Sequence, residues 1–139
     1  RRLIAVMAGM KSNQERSEEA EKIMNYGFQN FDNYLILAED EVADEVPVWY
    51  GKEDFVPVGV AKDLIKTFSV DKLATAKAKV VYQTPLKAPI LKGEQVGEIV
   101  VEYDGQLTTY PLVAKQEVKK VNLFGKFIAN LQYVIGKKQ

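Results

Sequence analysis

The stretch from Leu86 to Gly105 constrains this chain most, because it alternates extended runs with turn residues. Two strand-like runs are separated by a turn that contains Gly93 and Gly97, and Asp104-Gly105 follows the second run. Asp-Gly between extended runs is a strong β-hairpin signal, since both central residues of a type I′ turn need a positive φ. The stretch therefore predicts a β unit with which the neighbouring segments pair.

Short extended runs continue the same pattern on both sides of this hairpin. The predicted strands cover residues 34–37, 46–50, 55–60, 64–68, 76–82, 99–103 and 107–112. In one of them Ala76, Ala78 and Val80 alternate with Lys77 and Lys79, which is typical of a strand with one buried face. Many short strands with frequent turns predict a mainly β fold, a small antiparallel β-sandwich over residues 32–120.

Residues 1–31 have a different character. The continuous apolar run from Arg2 to Ala8 predicts a strand buried on both faces, which would need a larger sheet beside it. Ser12 and Glu15 form a capping box for a following helix, and Gly27 is placed to end it. The helix would present one apolar face, made of Ala20, Ile23, Met24 and Phe28.

Residues 121–139 predict an amphipathic helix. Its apolar stripe consists of Leu123, Phe124, Phe127, Ile128, Leu131, Val134 and Ile135. A stripe of this kind packs on the chain's own sandwich, on a partner chain, or in a membrane interface, and spacing alone leaves these alternatives open. Six lysines against one glutamate between residues 115 and 139 favour an anionic membrane surface.

Composition removes several classes of function. The 139 residues contain no Cys and no His, which excludes thiolate chemistry and a Ser-His-Asp triad. The 19 basic and 19 acidic residues give no overall charge that would attract nucleic acid. The acidic segment Glu39–Glu45 lacks the spacing and central glycine of a calcium loop, so we interpret it as a solvated hairpin end. We expect no cofactor and no metal site.

Two other short motifs deserve a chemical interpretation. Ser69 and Lys72 match S-x-x-K, and Lys66-Thr67-Phe68 is one residue away from K-T-G. In serine acyltransferases of that kind the two motifs form opposite walls of a cleft, which contiguous segments cannot do, so we expect no catalytic residue here.

Trp49, with Tyr50 beside it, could form an exposed patch, but a lone Trp in a strand more often packs in the core.

An ordered series of segments resembles the low-molecular-mass penicillin-binding proteins, the serine-type D-alanyl-D-alanine carboxypeptidases. The series runs through residues 2–6, 25–28, 48–52, 86–97, 111–113 and 123–125. The resemblance implies that residues 1–31 are the strand-helix end of a catalytic domain, residues 32–120 a stalk, and residues 121–139 a membrane anchor. It also implies that the catalytic motifs lie upstream of Arg1, so this chain alone is expected to be inactive.

The resemblance carries expectations about location and partners. The family trims the terminal D-Ala from peptidoglycan stem peptides, in the periplasm on the outer face of the bacterial cytoplasmic membrane. The expected partners are stem peptides, through the missing catalytic domain, and the anionic membrane surface, through the C-terminal helix; no nucleic acid is expected, and a homo-oligomer stays open. The alternative is a stand-alone protein-binding β module whose terminal helix docks a partner.

Overall fold

The computed structural model describes residues 1–121, which form one α-helix and two β-sheets. The mainly β class predicted from the sequence is confirmed. The predicted C-terminal helix, with its seven apolar residues between 123 and 135, lies outside the described residues. In chain order the elements are α1 (Asn13–Asn30), β1 (Phe31–Leu37), β2 (Asp44–Trp49), β3 (Phe55–Gly59), β4 (Leu64–Ser69), a short 3-10 helix (Leu73–Thr75), β5 (Lys77–Tyr82), β6 (Leu86–Lys87), β7 (Gln95–Tyr103) and β8 (Gln106–Ala114).

The strands form a six-stranded sheet and a two-stranded sheet. The larger sheet has the order β5-β7-β8-β3-β2-β6, and the smaller one pairs β1 with β4. All pairs are antiparallel except β2 with β6. That pair departs from the predicted antiparallel sandwich, because the chain crosses from β5 at one edge of the sheet to β6 at the other.

The long hairpin of β7 and β8 is the one that the Asp-Gly signal predicts. Tyr103 pairs with Gln106, and Asp104 and Gly105 form the two-residue turn between them. Their φ angles are 49° and 74°, in the left-handed region that a type I′ turn requires. Because the turn is two residues long, it fixes the register of the hairpin, and β5 and β3 then pair with its two outer edges.

The core is one cluster of buried side chains drawn from both sheets, and valine is its commonest residue. In β2, β3 and β7, buried Val and Ile residues alternate with less buried ones, so β-branched side chains with stiff rotamers fill much of the core. The largest fully buried side chains are Leu112, Val46, Val56, Val58, Val101 and Val118. Phe68 of β4 joins the small sheet to the large one, since its ring centroid lies 4.6 Å from that of Tyr103 on β7.

Helix α1 begins where the capping box predicts. The Ser12 hydroxyl accepts a hydrogen bond from the Glu15 backbone N–H at 3.1 Å, and the Glu15 carboxylate accepts one from the Lys11 N–H at 2.7 Å. The predicted end at Gly27 is wrong, because the helix continues to Asn30. It ends there since the next residue enters β1 and takes an extended conformation.

The predicted strand from Arg2 to Ala8 is wrong. Residues 1–10 have no regular secondary structure, and Val6 is 92% exposed. A strand requires a neighbour for its N–H and C=O groups, and none of the described strands pairs with this run. Leu3 of this run lies against Gly27 of the helix. The preceding Arg1 guanidinium donates to the Phe28 carbonyl at 2.7 Å and to the Asp32 carboxylate of β1 at 3.1 Å.

The large sheet is strongly curled. The Tyr82 hydroxyl of β5 donates to the Asp44 carboxylate of β2 at 2.6 Å, although three strands separate β5 from β2. In a flat sheet the two strands would be about 19 Å apart, from four spacings of about 4.8 Å. The bond therefore crosses the inside of the curve. It lowers the pKa of the Asp44 carboxyl and raises the pKa of the Tyr82 hydroxyl.

Replacement of Leu112 tests the core. Leu112 is 0% exposed, so Leu112→Ala is expected to lower the free energy of unfolding by about 2–5 kcal/mol through lost burial and a cavity. Leu107→Ala is the matched control, because Leu107 lies on the same strand and is 67% exposed; its effect should stay within about 0.5 kcal/mol. Urea unfolding followed by circular dichroism measures both, and equal losses would contradict the assigned core.

The bond between Tyr82 and Asp44 predicts a pH-dependent stability. Because the pKa of Asp44 is lowered in the folded state, its contribution is present above the ordinary carboxyl pKa and is lost as pH falls through the lowered value. Because the pKa of Tyr82 is raised, its contribution is present below the ordinary phenol pKa and is lost as pH rises through the raised value. Tyr82→Phe should therefore lower Tm most between about pH 5 and pH 9.

Thermal unfolding of both proteins from pH 2 to pH 11 measures this difference. Tyr110→Phe is the control, since among residues 1–121 no hydrogen bond of the Tyr110 hydroxyl is present. A loss of Tm in Tyr82→Phe that is constant across the pH range would show that the bond does not carry the effect.

Candidate functional site

Ser69 and Lys72, the residues of the S-x-x-K match, are engaged with different partners. The Ser69 hydroxyl donates to the Asp71 carboxylate, and the Lys72 ammonium donates to Asp104 at 2.7 Å. The hydrogen bond and charge of Asp104 raise the pKa of Lys72. A lysine held as a cation cannot accept a proton from a nearby hydroxyl, so this pair is unsuited to activating the serine.

The same segment has a clear structural role. Ser69 ends β4, and its backbone N–H donates to the Tyr103 hydroxyl at 2.9 Å. Lys72 spans from the turn after β4 to the β7–β8 turn. In the segment that resembles K-T-G, residues 66–68, the Lys66 ammonium donates to the Thr108 hydroxyl at 2.9 Å and Phe68 is buried. The segment therefore fastens the small sheet to the central hairpin.

The acidic residues between β1 and β2 serve the turn that joins these strands. The Glu41 carboxylate accepts from the Ala38 N–H at 3.3 Å, and Asp63 accepts from the Glu39 N–H at 2.8 Å. Lys115 donates to the carbonyls of Glu39 and Val60. Among residues 1–121 no group of three or more acidic side chains is arranged to hold a metal ion. The segment is a connection stabilised by local hydrogen bonds.

The described chain ends against the turn between β2 and β3. The Val121 N–H donates to the Tyr50 carbonyl, the Lys52 N–H donates to the Lys119 carbonyl, both at 2.8 Å, and Gly51 forms a bridge with Lys120. Close packing requires glycine at position 51: a Cβ there would lie 2.7 Å from a Val118 methyl group and from the Glu53 carbonyl oxygen. We call residues 49–55 and 118–121 together the exit end.

The junction of α1 with β1 lies at the other end of the molecule. The Val70 N–H donates to the Asn30 carbonyl at 2.9 Å, and the neighbouring Ser69 and Lys72 contact the β7–β8 turn. The exit end lies beyond the opposite end of β8. Ala114, the last residue of β8, pairs with Val58, and the earlier residues of β3 extend past Ala114 toward the exit end. The nine-residue β8 alone spans about 27 Å. The chain therefore enters and leaves the β unit at opposite ends.

Trp49 contradicts the expectation of a core position, because it is 56% exposed. Val46 and Val48 of the same strand point inward, so the alternation of β2 turns Trp49 to the outer face. The ring of Tyr50 packs edge-on against it, with centroids 6.3 Å apart. The signal was present in the sequence, since Val46 and Val48 are small β-branched residues two apart and Trp49 follows out of phase.

Comparison with known proteins identifies this fold. Residues 31–120 match the family described as the C-terminal domain of penicillin-binding protein 5. The chain is 33% identical to D-alanyl-D-alanine carboxypeptidase DacD of Salmonella typhimurium over 135 residues, which cover 96% of this chain and 35% of that protein. It is 33% identical to D-alanyl-D-alanine carboxypeptidase DacA of Escherichia coli K12, covering 91% of this chain and 32% of that protein.

A solved structure agrees with the sequence relatives. Penicillin-binding protein 5 from Haemophilus influenzae superposes with a TM-score of 0.69 at 27% identity, over 78% of this chain and 32% of that one. The chain thus spans about a third of the length of the proteins that it matches. It belongs to the family of the penicillin-binding protein 5 C-terminal domain, the C-terminal part of a low-molecular-mass penicillin-binding protein.

Proposed function

We propose that this chain holds the catalytic part of a D-alanyl-D-alanine carboxypeptidase at a set distance from the membrane and anchors it there. The observation that carries the proposal is that the chain enters the β unit near residue 31 and leaves it near residue 121, at opposite ends of the unit. A unit attached in this way separates whatever lies on its two sides by its own length. Relatives that share the domain carry the carboxypeptidase name over a chain about three times as long.

The N-terminal side would receive the catalytic part. Helix α1 has no buried residue, and Ile23 and Phe28 of the apolar face predicted for it are exposed. An apolar helix face of this kind is expected to pack on another layer. In the proposal that layer belongs to the catalytic part, which acts on the terminal D-Ala of peptidoglycan stem peptides.

The exit end would face the membrane. Residues 122–139 continue from it, and their sequence carries the seven-residue apolar stripe together with three further lysines. No helix among residues 1–121 is long and apolar enough to cross a bilayer. The proposal places the anchor on the outer face of the bacterial cytoplasmic membrane, with the enzyme in the periplasm.

Catalysis is assigned to the part of the relatives that this chain does not match. Within residues 1–121, Lys72 is bonded to Asp104 and not to Ser69. The carboxylate that accepts from the Ser69 hydroxyl is that of Asp71, whose pKa is lowered by this hydrogen bond, so it is a weak base. The chain alone would therefore position the enzyme without carrying out the reaction.

Vesicle flotation tests the anchor. The 139-residue chain is expected to float with vesicles that contain anionic lipid, and the chain shortened to residues 1–121 is not. Within the full chain, Phe127→Glu should reduce the bound fraction about ten-fold, because it places a charge in the apolar stripe. Asn130→Glu is the matched control, since it adds the same charge on the polar side and should have a smaller effect. Equal flotation of the long and short chains would reject the anchor.

Incubation with a penicillin tests the assignment of catalysis. Intact-mass spectrometry of the 139-residue chain should show no adduct, because Lys72 is bonded to Asp104 and the Asp71 carboxylate beside Ser69, with its lowered pKa, is a weak base. Ser69→Ala should behave identically. An adduct on the unmodified chain that is absent in Ser69→Ala would show that this serine reacts and would overturn the structural role given to the segment.

A further inference from the structure

Three aromatic side chains at the exit end, those of Trp49, Tyr50 and Phe55, are more than half exposed. Trp49 is the single tryptophan of the chain, and its side chain lies on the outer face of β2. Phe55 on β3, which is 52% exposed, pairs with Pro47, the residue two positions before Trp49 on the same face. Tyr50 continues the surface at the turn. A cluster of exposed aromatic rings is typical of an interaction surface.

Lysines surround this aromatic surface. Lys87 of β6 pairs with Trp49 across the strands, and Lys52, Lys119 and Lys120 lie in the exit end itself. All four are exposed, and none takes part in the three salt bridges found among residues 1–121. The acidic residues of the same turn are Glu53 and Asp54, so the surface keeps a net positive charge of two from these six groups.

We propose that Trp49, Tyr50 and Phe55, with the lysines around them, form a second membrane contact that rests directly on anionic lipid headgroups. Aromatic rings flanked by lysines are the side chains that favour the interface between water and hydrocarbon. Each lysine near an anionic surface adds roughly a five-fold gain in affinity. The inference rests on the proposed function, because it requires the exit end to be held near the bilayer.

The position of the surface selects lipid over a second copy of the chain. Residue 121 is hydrogen-bonded to Tyr50, so the anchor region from residue 122 onward begins within the same surface. Binding of that region to the membrane would bring the aromatic rings to the headgroups. No further segment of chain would have to lose conformational entropy. A second copy would bring its own four lysines against these four, whereas an anionic surface complements them.

A second contact would fix orientation. A single anchoring segment joined at residue 121 lets the β unit tilt about that point. A second contact made by the side chains of Trp49 and Phe55 would restrain the tilt, because it adds points of attachment beside residue 121. In the proposal the long axis then stands at a defined angle to the membrane.

The fluorescence of Trp49 reports directly on the proposed contact, since Trp49 is the only tryptophan of the chain. The full chain is mixed with vesicles of 70% phosphatidylcholine and 30% phosphatidylglycerol, with and without bromine atoms on the acyl chains. The inference predicts a blue shift of the emission on binding and quenching by the brominated lipid. If the protein floats with the vesicles while the emission stays unshifted and unquenched, the second contact is rejected and the anchor stands. If the protein does not float, the proposed function fails and the inference fails with it.

Charge variants provide the second arm of the test. Lys87→Glu should weaken vesicle binding by roughly five-fold or more, because it reverses a charge beside Trp49. Lys77→Glu is the matched control, since Lys77 is exposed and pairs with Glu102 near the opposite end of the hairpin, and it should leave binding unchanged. Equal losses in both variants would reject a localised contact. A blue shift that grows with protein concentration without vesicles, together with a dimer in sedimentation, would replace lipid with a second copy.

Discussion

The register of the β7–β8 hairpin is the constraint on which the rest of this structure depends. The Asp104-Gly105 turn fixes which residues of the two strands face the core, and a slip by one residue would turn Val101 and Leu112 outward. Both outer edges of the hairpin are then occupied, by β5 on one side and β3 on the other. The small sheet is attached to the same hairpin through Tyr103, which contacts both the Phe68 ring and the Ser69 N–H.

This hairpin also determines the geometry of attachment. Its turn lies beside the junction with α1, and its open end lies beside the exit end. The length of the hairpin therefore sets the distance between the points at which the chain enters and leaves the β unit. A buried layer of β-branched side chains makes that separation stiff, because such side chains have few alternative rotamers. The positioning role that we propose requires a rigid separation of this kind, and it requires no pocket with converging catalytic groups.

The sequence predicts the parts of the fold whose signals are local. Alternation with period two and the Asp-Gly turn identify the main strands, because each depends on residues close in the chain. The strand predicted at residues 2–8 is absent from the structure. An apolar run indicates that burial is favourable, but it does not supply a partner strand. The pairing of residues 119–121 with the turn around Gly51 is also absent from any local pattern, because it joins segments about 70 residues apart. The candidate membrane residues between 123 and 135 stay a prediction.

The two ends of the β unit use lysine in opposite ways. Lys72 forms a salt bridge with Asp104 at the helix end, so its charge is largely neutralised and serves to hold a turn in place. Lys52, Lys87, Lys119 and Lys120 form no salt bridge within the described chain, so their charges act on the surroundings of the exit end. A chain with no overall charge bias can therefore still have a directional field. Because a Debye length of about 8 Å at physiological salt is much shorter than β8, an anionic surface near the exit end is screened from the charges at the other end.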